Sequence, residues 1–379
     1  MRILPLLALL VGTSLHAAQP MKIDLFQADT ASYETYRIPG IVVTKTGTIL
    51  IYCEARKSYK SDWGHIDILL RRSTDNGQTF DAPKKIVDPP ADIKDDNTTI
   101  NNPVAIADPE SGAVHFLYCI NYSRCFYMRS DNDGQTFSKP VEITSAIEEL
   151  RPKYDWKLFA TGPGHGIRLK TGRLLVPIWL ANGKAPKAHR PSSISTIYSD
   201  DNGKTWHAGQ IIASNSEEIP NPNESEAVEL ADGTILLNTR NENRNEYHRL
   251  ISTSKDGVSN WSKPAYDQGL TEVICMASII RTPQNQLIFS APAGGEKTTG
   301  KPARKNLTLH LSTDNTKTWP TQKLLEAGLS AYSDLAITKD NQILCFYECG
   351  YVNNQEGHTG SLRLAKFDTQ WLTQNEDQH

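Results

Sequence analysis

Apolar and polar positions along this chain alternate in short runs broken by turn residues, the pattern of strands rather than helices. Six segments each pair two apolar runs around a polar turn. They span 37–56 around Lys45-Thr46-Gly47, 102–121 around 109–112, 165–179 around Lys170-Thr171-Gly172, 224–240 around Asp232-Gly233, 278–290 around 283–285, and 332–348 around Lys339-Asp340-Asn341. Their starts lie 65, 63, 59, 54 and 54 residues apart. A second motif keeps step with them. Ser73-Thr74-Asp75-Asn76-Gly77-Gln78-Thr79-Phe80 returns in altered form at 130–137, 199–206, 254–261 and 312–319, with starts 57, 69, 55 and 58 residues apart. Asp and Ser/Thr side chains there bond nearby amides, Gly supplies positive φ, and the closing aromatic tucks under the turn. The motif is structural and carries no catalysis. A repeat of this length marks one supersecondary unit. Six units of about four strands predict an all-β fold, a six-bladed β-propeller. The last unit holds a third strand at 361–367 but no turn motif after it, so an early strand near 23–26 is expected to complete it and close the ring. No linker or low-complexity stretch interrupts the pattern, and 19–379 reads as a single domain.

The first residues follow a different rule. Arg2, an apolar run over 3–15, and the small residues Ala17 and Ala18 read as a secretory signal peptide over 1–18, which places the mature protein outside the cytoplasm, secreted, periplasmic or at the cell surface. The run is too short to span a bilayer, and no membrane span is expected. Cys53, Cys119, Cys125, Cys275, Cys345 and Cys349 contain no Cys-x-x-Cys pair, so no metal is expected. Cys119–Cys125 is a candidate disulfide, although buried free thiols are the simpler reading of cysteines in apolar strands. Across 379 residues, 40 Lys and Arg face 43 Asp and Glu, a net charge of −3. That balance argues against a nucleic-acid partner or an anionic membrane surface.

Hairpin geometry then collects the reactive residues. The start of a hairpin's first strand and the end of its second lie at the same end. Arg37 and Arg56 bracket one hairpin, Glu224 and Arg240 another, and Tyr332 and Glu348 the last, while Asp62 precedes the strand 66–73. Arg304 stands before the strand 306–312, whose far end carries a turn motif. A strand of eight residues at ~3.3 Å each separates those ends by roughly 26 Å. All these polar residues therefore share the face opposite the turn motifs. Three guanidinium groups, Arg37, Arg240 and Arg304, on one rim match a carboxylate by paired, charge-assisted hydrogen bonds.

These residues carry a resemblance. Tyr36-Arg37-Ile38-Pro39, the five Asp-containing turns, Ser61-Asp62 before 66–73, Gly162-Pro163-Gly164-His165-Gly166, Asn223-Glu224, Asn238-Thr239-Arg240, Arg304-Lys305-Asn306 and Ala331-Tyr332-Ser333 before Tyr347-Glu348 resemble the exo-α-sialidases (neuraminidases) of the Asp-box superfamily. The match extends over nearly all of the chain beyond the first segment. The resemblance implies a three-arginine clamp of Arg37, Arg240 and Arg304 on the sialic acid carboxylate. It implies Tyr332 as nucleophile with Glu224 as its base, and Asp62 as acid and then base. Glu348 would orient the first arginine, and Arg56 would contact the sugar ring. A neutral phenol suits an anomeric carbon that already bears a carboxylate, because a carboxylate nucleophile would meet like charge. No cofactor is implied, and the expected partners are sialylated glycans.

Several alternatives stay open at this level. Glu226 and Glu229 compete with Glu224 as base, and His65 and Asp67 compete with Asp62. His165 reads as structural, and Gly294-Gly295 as a rim loop near substrate. The last two turn motifs lack their second glycine, with Val258 and Thr316 in its place. A trans-sialidase or intramolecular trans-sialidase would use the same clamp and nucleophile. A non-catalytic glycan-binding propeller would have no reason to keep all of these residues together.

Overall fold

The computed structural model describes residues 18–93, 95–294, 303–355 and 357–374. The expected signal segment, apart from Ala18, and Gly295 lie outside the described residues. Strands with near-continuous burial, such as Ile49–Arg56 and Val114–Ile120, form because both faces of each sheet are covered by neighbouring sheets.

Five sheets contain six four-stranded units. The first holds Thr35–Val43, Ile49–Arg56, Ile66–Ser73 and Lys84–Lys85. The second runs through Ile100–Ala107, Val114–Ile120, Arg124–Ser130 and Val141–Glu142, and the fourth through Ser225–Glu229, Ile235–Thr239, His248–Ser254 and Ala265–Thr271. The fifth and sixth are joined by one 17-residue strand, Thr321–Ile337. Its first half pairs with Lys305–Ser312 and its second half with Ile343–Tyr351. Met21–Gln27 pairs antiparallel with Thr359–Phe367, so the early strand expected from the sequence closes the sixth unit. First strands of neighbouring units touch one another around the ring, except that Leu174–Ala181, the third unit's second strand, meets Ser225–Glu229 of the fourth. Apolar side chains fill the wedges between units: Leu50, Tyr52, Phe116 and Met128 pack between the first and second, and Phe26, Ile51 and Phe346 between the sixth and first.

The third unit departs from expectation. Its first strand is not one run from His165 but two pieces, Leu158–Thr161 and Ile167–Arg168, both paired with Leu174–Ala181. Between them Gly164 and His165 leave the sheet and pair in parallel with Val104 and Ala105 of the second unit. Gly164 has φ +95°, and a Cβ there would sit 2.2 Å from Glu226 Oε1. Glycine is what lets the backbone approach the axis here.

The turn motifs fold as their composition demands. Ser73 Oγ bonds Asp75 and accepts from Gly77 N at 2.9 Å, while Asp75 accepts from Thr79 N at 2.9 Å and Thr79 Oγ1 at 2.6 Å. The closing aromatics wedge between units: Trp206 lies 5.6 Å from Tyr127 of the second unit, and Trp319 Nε1 donates to Asp267 of the fourth at 3.1 Å. Thr316 takes the glycine's positive φ at 69°, whereas Val258 does not. That copy keeps only the first of the motif's two positive-φ positions, at Gly257, and Ser259 replaces the threonine as donor to Asp256. All six cysteines are buried and free, including Cys119 and Cys125, which face each other across one strand pair.

Candidate active site

Ile66 pairs with Arg56 while Ser73, where the turn motif begins, pairs with Ile49, so the two ends of the first unit have opposite characters. At the end away from the motifs lies a cavity of ≈ 400 Å³. Arg37, Arg56, Asp62, Glu224, Arg240, Arg304, Tyr332 and Glu348 all line it. Local irregularity aims several of them inward. The pairing register shifts between Arg37 and Gly40, between Asn101 and Val104, and between Ser330 and Ser333. Such bulges twist a strand and re-aim its side chains. Ile38 sits at φ +59°, a costly conformation for a β-branched residue.

Glu348 holds that distortion in place. Its carboxylate accepts from Arg37 Nε at 3.1 Å, Arg37 Nη2 at 3.3 Å and Ile38 N at 3.1 Å. Tyr332 reaches Glu224 with its hydroxyl, 2.6 Å from Oε1 and 2.8 Å from Oε2. Arg240 Nη1 donates to Glu224 and, at 2.8 Å, to the Tyr332 oxygen. Arg304 Nη2 donates to Ile274 O at 2.5 Å. The guanidinium carbons of Arg37 and Arg304 lie 5.1 and 5.3 Å from the centre of the Tyr332 ring. Burial and the Glu224 charge push the Tyr332 phenol well above its ordinary range, with the three arginines acting against them. At rest the phenol is neutral and its proton is directed at Glu224.

Asp62 is the accessible carboxylate, its side chain 50% exposed to the cavity. Arg56 Nη1 donates to it at 2.7 Å, and Arg37 Nη1 stands 3.6 Å away. The surrounding walls desolvate Asp62, but the charges of Arg56 and then Arg37 outweigh this and hold its carboxyl far below the usual range. Arg56 is itself fixed from behind by Glu54 at 2.6 and 2.9 Å.

The competing residues lie elsewhere. Glu226 is buried on the axis against Ser278 and Ile279 N, and Glu229 accepts from Lys170 N at 2.9 Å, outside the cavity. Asp67 is taken up by Tyr33, His65 and Lys85. His165 does not line the cavity; it turns to Asp334 at 2.7 Å. Gly294 is also absent from the lining. Sequence reasoning missed an aromatic wall. Tyr122 lies 5.8 Å from Trp179 and 4.7 Å from His189, and all three line the cavity. Trp179 ends its hairpin just as Arg56 and Arg240 end theirs, so the same end-of-strand rule extended to aromatics finds it. His189 lies in a connection and carries no such signal.

Six cationic side chains, Arg37, Arg56, Lys60, Arg190, Arg240 and Arg304, share the lining with three carboxylates, Asp62, Glu224 and Glu348. The cavity is thus built for an anion, with a phenol and two acids in contact with the space it would fill. Residues 60–345 match the BNR repeat-like domain. The chain belongs to the BNR repeat-like family. Among its relatives in this BNR-repeat family, a sialidase of Micromonospora viridifaciens is 28% identical over 92% of this chain and 54% of its own length. A sialidase of Bacteroides fragilis is 28% identical over 86% of this chain and 62% of its own length. The chain therefore spans little more than half the length of these two relatives. Among solved structures, the Hadza microbial sialidase Hz136 superposes with a TM-score of 0.78 at 24% identity, covering 93% of this chain and 69% of that one. At that identity the likeness speaks for the propeller fold.

Proposed function

We propose that this chain is a retaining exo-α-sialidase that hydrolyses terminal α-linked sialic acid from glycoconjugates. The observation that carries the reading is the contact of Tyr332 with Glu224, enclosed by Arg37, Arg240 and Arg304. A carboxylate on the substrate meets those three guanidiniums, which are charged at any working pH. Arg240 Nε and Arg304 Nε are buried without an acceptor, a surplus of donors in keeping with an anionic ligand.

The contacts support one order of steps. Glu224 takes the phenol proton as the Tyr332 oxygen attacks the anomeric carbon, and Arg240, already bonded to both, stabilises the negative charge that passes between them. The leaving oxygen takes a proton from Asp62. For that Asp62 must be protonated first. A bound carboxylate draws on the Arg37 charge and excludes water, and both effects raise the Asp62 pKa toward a useful range. In the second displacement Asp62 activates water, and the covalent link to Tyr332 breaks with net retention. We propose in addition that residues 1–18 direct export and are removed; N-terminal sequencing of the exported protein is expected to begin at residue 19, and a chain retaining Met1 contradicts it.

Release of a fluorophore from an α-linked sialoside by the purified protein tests the activity, and proton NMR of the first-formed sugar tests the mechanism. The α-anomer is expected first. An initial β-anomer excludes Tyr332 as nucleophile, absence of turnover across pH 4 to 8 excludes the hydrolase, and transfer to a sugar acceptor or to the substrate's own hydroxyl in place of water redefines it.

A further inference from the structure

Glu224 and Tyr332 touch, yet they belong to the fourth and sixth units, with the fifth between them. Among the described residues no sheet ladder joins the fourth unit to the other two. Tyr332 also lies within a bulge, where pairing to its own neighbour is broken. Backbone hydrogen bonding therefore does not set the distance between base and nucleophile.

Two residues further along the chain in each case stand Glu226, in the strand Ser225–Glu229, and Asp334, in the paired second half of Thr321–Ile337. Both are buried on the axis. Ser278 of the fifth unit bridges them, its Oγ 2.7 Å from Glu226 Oε2 and 3.0 Å from Asp334 Oδ1, and it accepts from Leu335 N at 3.1 Å. His165 of the third unit adds Nδ1 at 2.7 Å from Asp334 Oδ1 and 3.4 Å from Glu226 Oε1. Ile41 N of the first unit donates to Asp334 Oδ2 at 2.8 Å, and Ile279 N to Glu226 Oε2 at 3.0 Å. His165, Glu226 and Asp334 are close enough together to hold a cation, but each carboxylate oxygen already faces a protein N–H or O–H. The cluster is organised around protons. Burial pushes the Glu226 carboxyl up, with Asp334 acting in the same direction and the His165 charge against it.

Resting on the reading of Glu224 as base and Tyr332 as nucleophile, we infer that Ser278 is a positioning residue. By tying Glu226 to Asp334 beside His165, it sets the height of Tyr332 against Glu224 and so the proton transfer between them. Only two residues, about 6.6 Å of extended backbone, separate Asp334 from Tyr332 and Glu226 from Glu224, so a shift at Asp334 or Glu226 is passed on to the hydroxyl and its acceptor. Two of the three clamp arginines are anchored separately, Arg37 by Glu348 and Arg304 by Ile274 O, whereas Arg240 bonds Glu224 and Tyr332 themselves. Most of the hold on a substrate carboxylate is accordingly independent of Ser278.

The test is Ser278→Ala in the full chain, assayed on the α-linked sialoside reporter and crystallised. The expected result is a kcat lowered roughly tenfold to a hundredfold, the order that displacements near 1 Å cost, with KM unchanged within about twofold and the Tyr332–Glu224 contact lengthened beyond hydrogen bonding. Wild-type kcat, a kcat loss matched by an equal rise in KM, or an unaltered Tyr332–Glu224 contact overturns the inference. If Ser278→Ala does not fold, Asp334→Asn keeps the shape and removes the charge facing His165, and the same split decides. A wild-type protein inert toward the reporter counts against the sialidase reading, whereas the crystallographic distance still decides the role of Ser278.

Discussion

The two ends of the propeller are made from the same strands and obey different rules. At the turn-motif end every unit but the last solves one problem alone: a serine, an Asp or Asn, and a Thr or Ser within a few residues of each other close the chain on itself. Ser199 bonds Asp201 at 2.8 Å, Gly203 N returns to Ser199 at 2.9 Å, and Thr205 N reaches Asp201 at 2.8 Å. At the cavity end no unit is sufficient. Arg37 depends on Glu348, 311 residues away, and Tyr332 on Glu224, 108 residues away. Local closure is repeated and redundant. Convergence across units is unique, and one lost side chain has no substitute.

That contrast sets an order of expected effects. Tyr332→Phe removes the nucleophile while keeping the ring that Arg37 and Arg304 overlie; turnover of the reporter is expected to fall by roughly 10³-fold or more with thermal unfolding unchanged. An activity near wild type would break the claim that the cavity end has no redundancy. Arg304→Lys keeps the charge but loses the planar fork, and kcat/KM is expected to drop by about tenfold to a hundredfold, as for one charge-assisted hydrogen bond. Steady-state kinetics showing equal efficiency would reduce the clamp to two arginines.

A smaller effect is expected on the axis. Burial opposes the His165 charge, but Glu226 and then Asp334 raise its pKa from 6.5 to about 9. The folded value lies above the unfolded one, so this contribution to stability is complete below pH 6.5 and is lost as pH rises through about 9. Melting temperature is expected to decline over that window, and the decline to flatten in His165→Gln; parallel curves for the two proteins would remove His165 from the account. Smallest is Ser199→Ala in one turn motif, expected to cost about 1 kcal/mol in chemical denaturation and to leave kcat and KM unchanged. A lost activity there would show that the two ends are coupled after all.

Much of the site is legible in the sequence because a strand is a ruler. Once strand ends were assigned, Arg37, Arg56, Asp62, Glu224, Arg240, Arg304, Tyr332 and Glu348 fell on one rim, and the structure puts them around one cavity. The choice among neighbours was less legible. Glu224 and Glu226 share a face of the chain, and only the packing of Ser278 and Ile279 against Glu226 removes it from the cavity. Asp62 and Asp67 are five residues apart, and Asp67 is withdrawn by Tyr33 and Lys85, which no spacing rule brings together.

By itself the sequence determined what short-range physics controls: where strands start and stop, five self-closing turns, and the strand that completes the last unit. Those follow from alternation, turn chemistry and glycine, each decided within a few residues. Tertiary structure alone decided the split first strand of the third unit, the 17-residue strand shared by two units, the aromatic wall of Tyr122, Trp179 and His189, and the axial cluster of His165, Glu226, Ser278 and Asp334. Each of these depends on groups from separate units meeting at the axis, and burial there makes every unpaired polar atom costly. The cost is set by the partners a group finds in space, and those lie tens to hundreds of residues away.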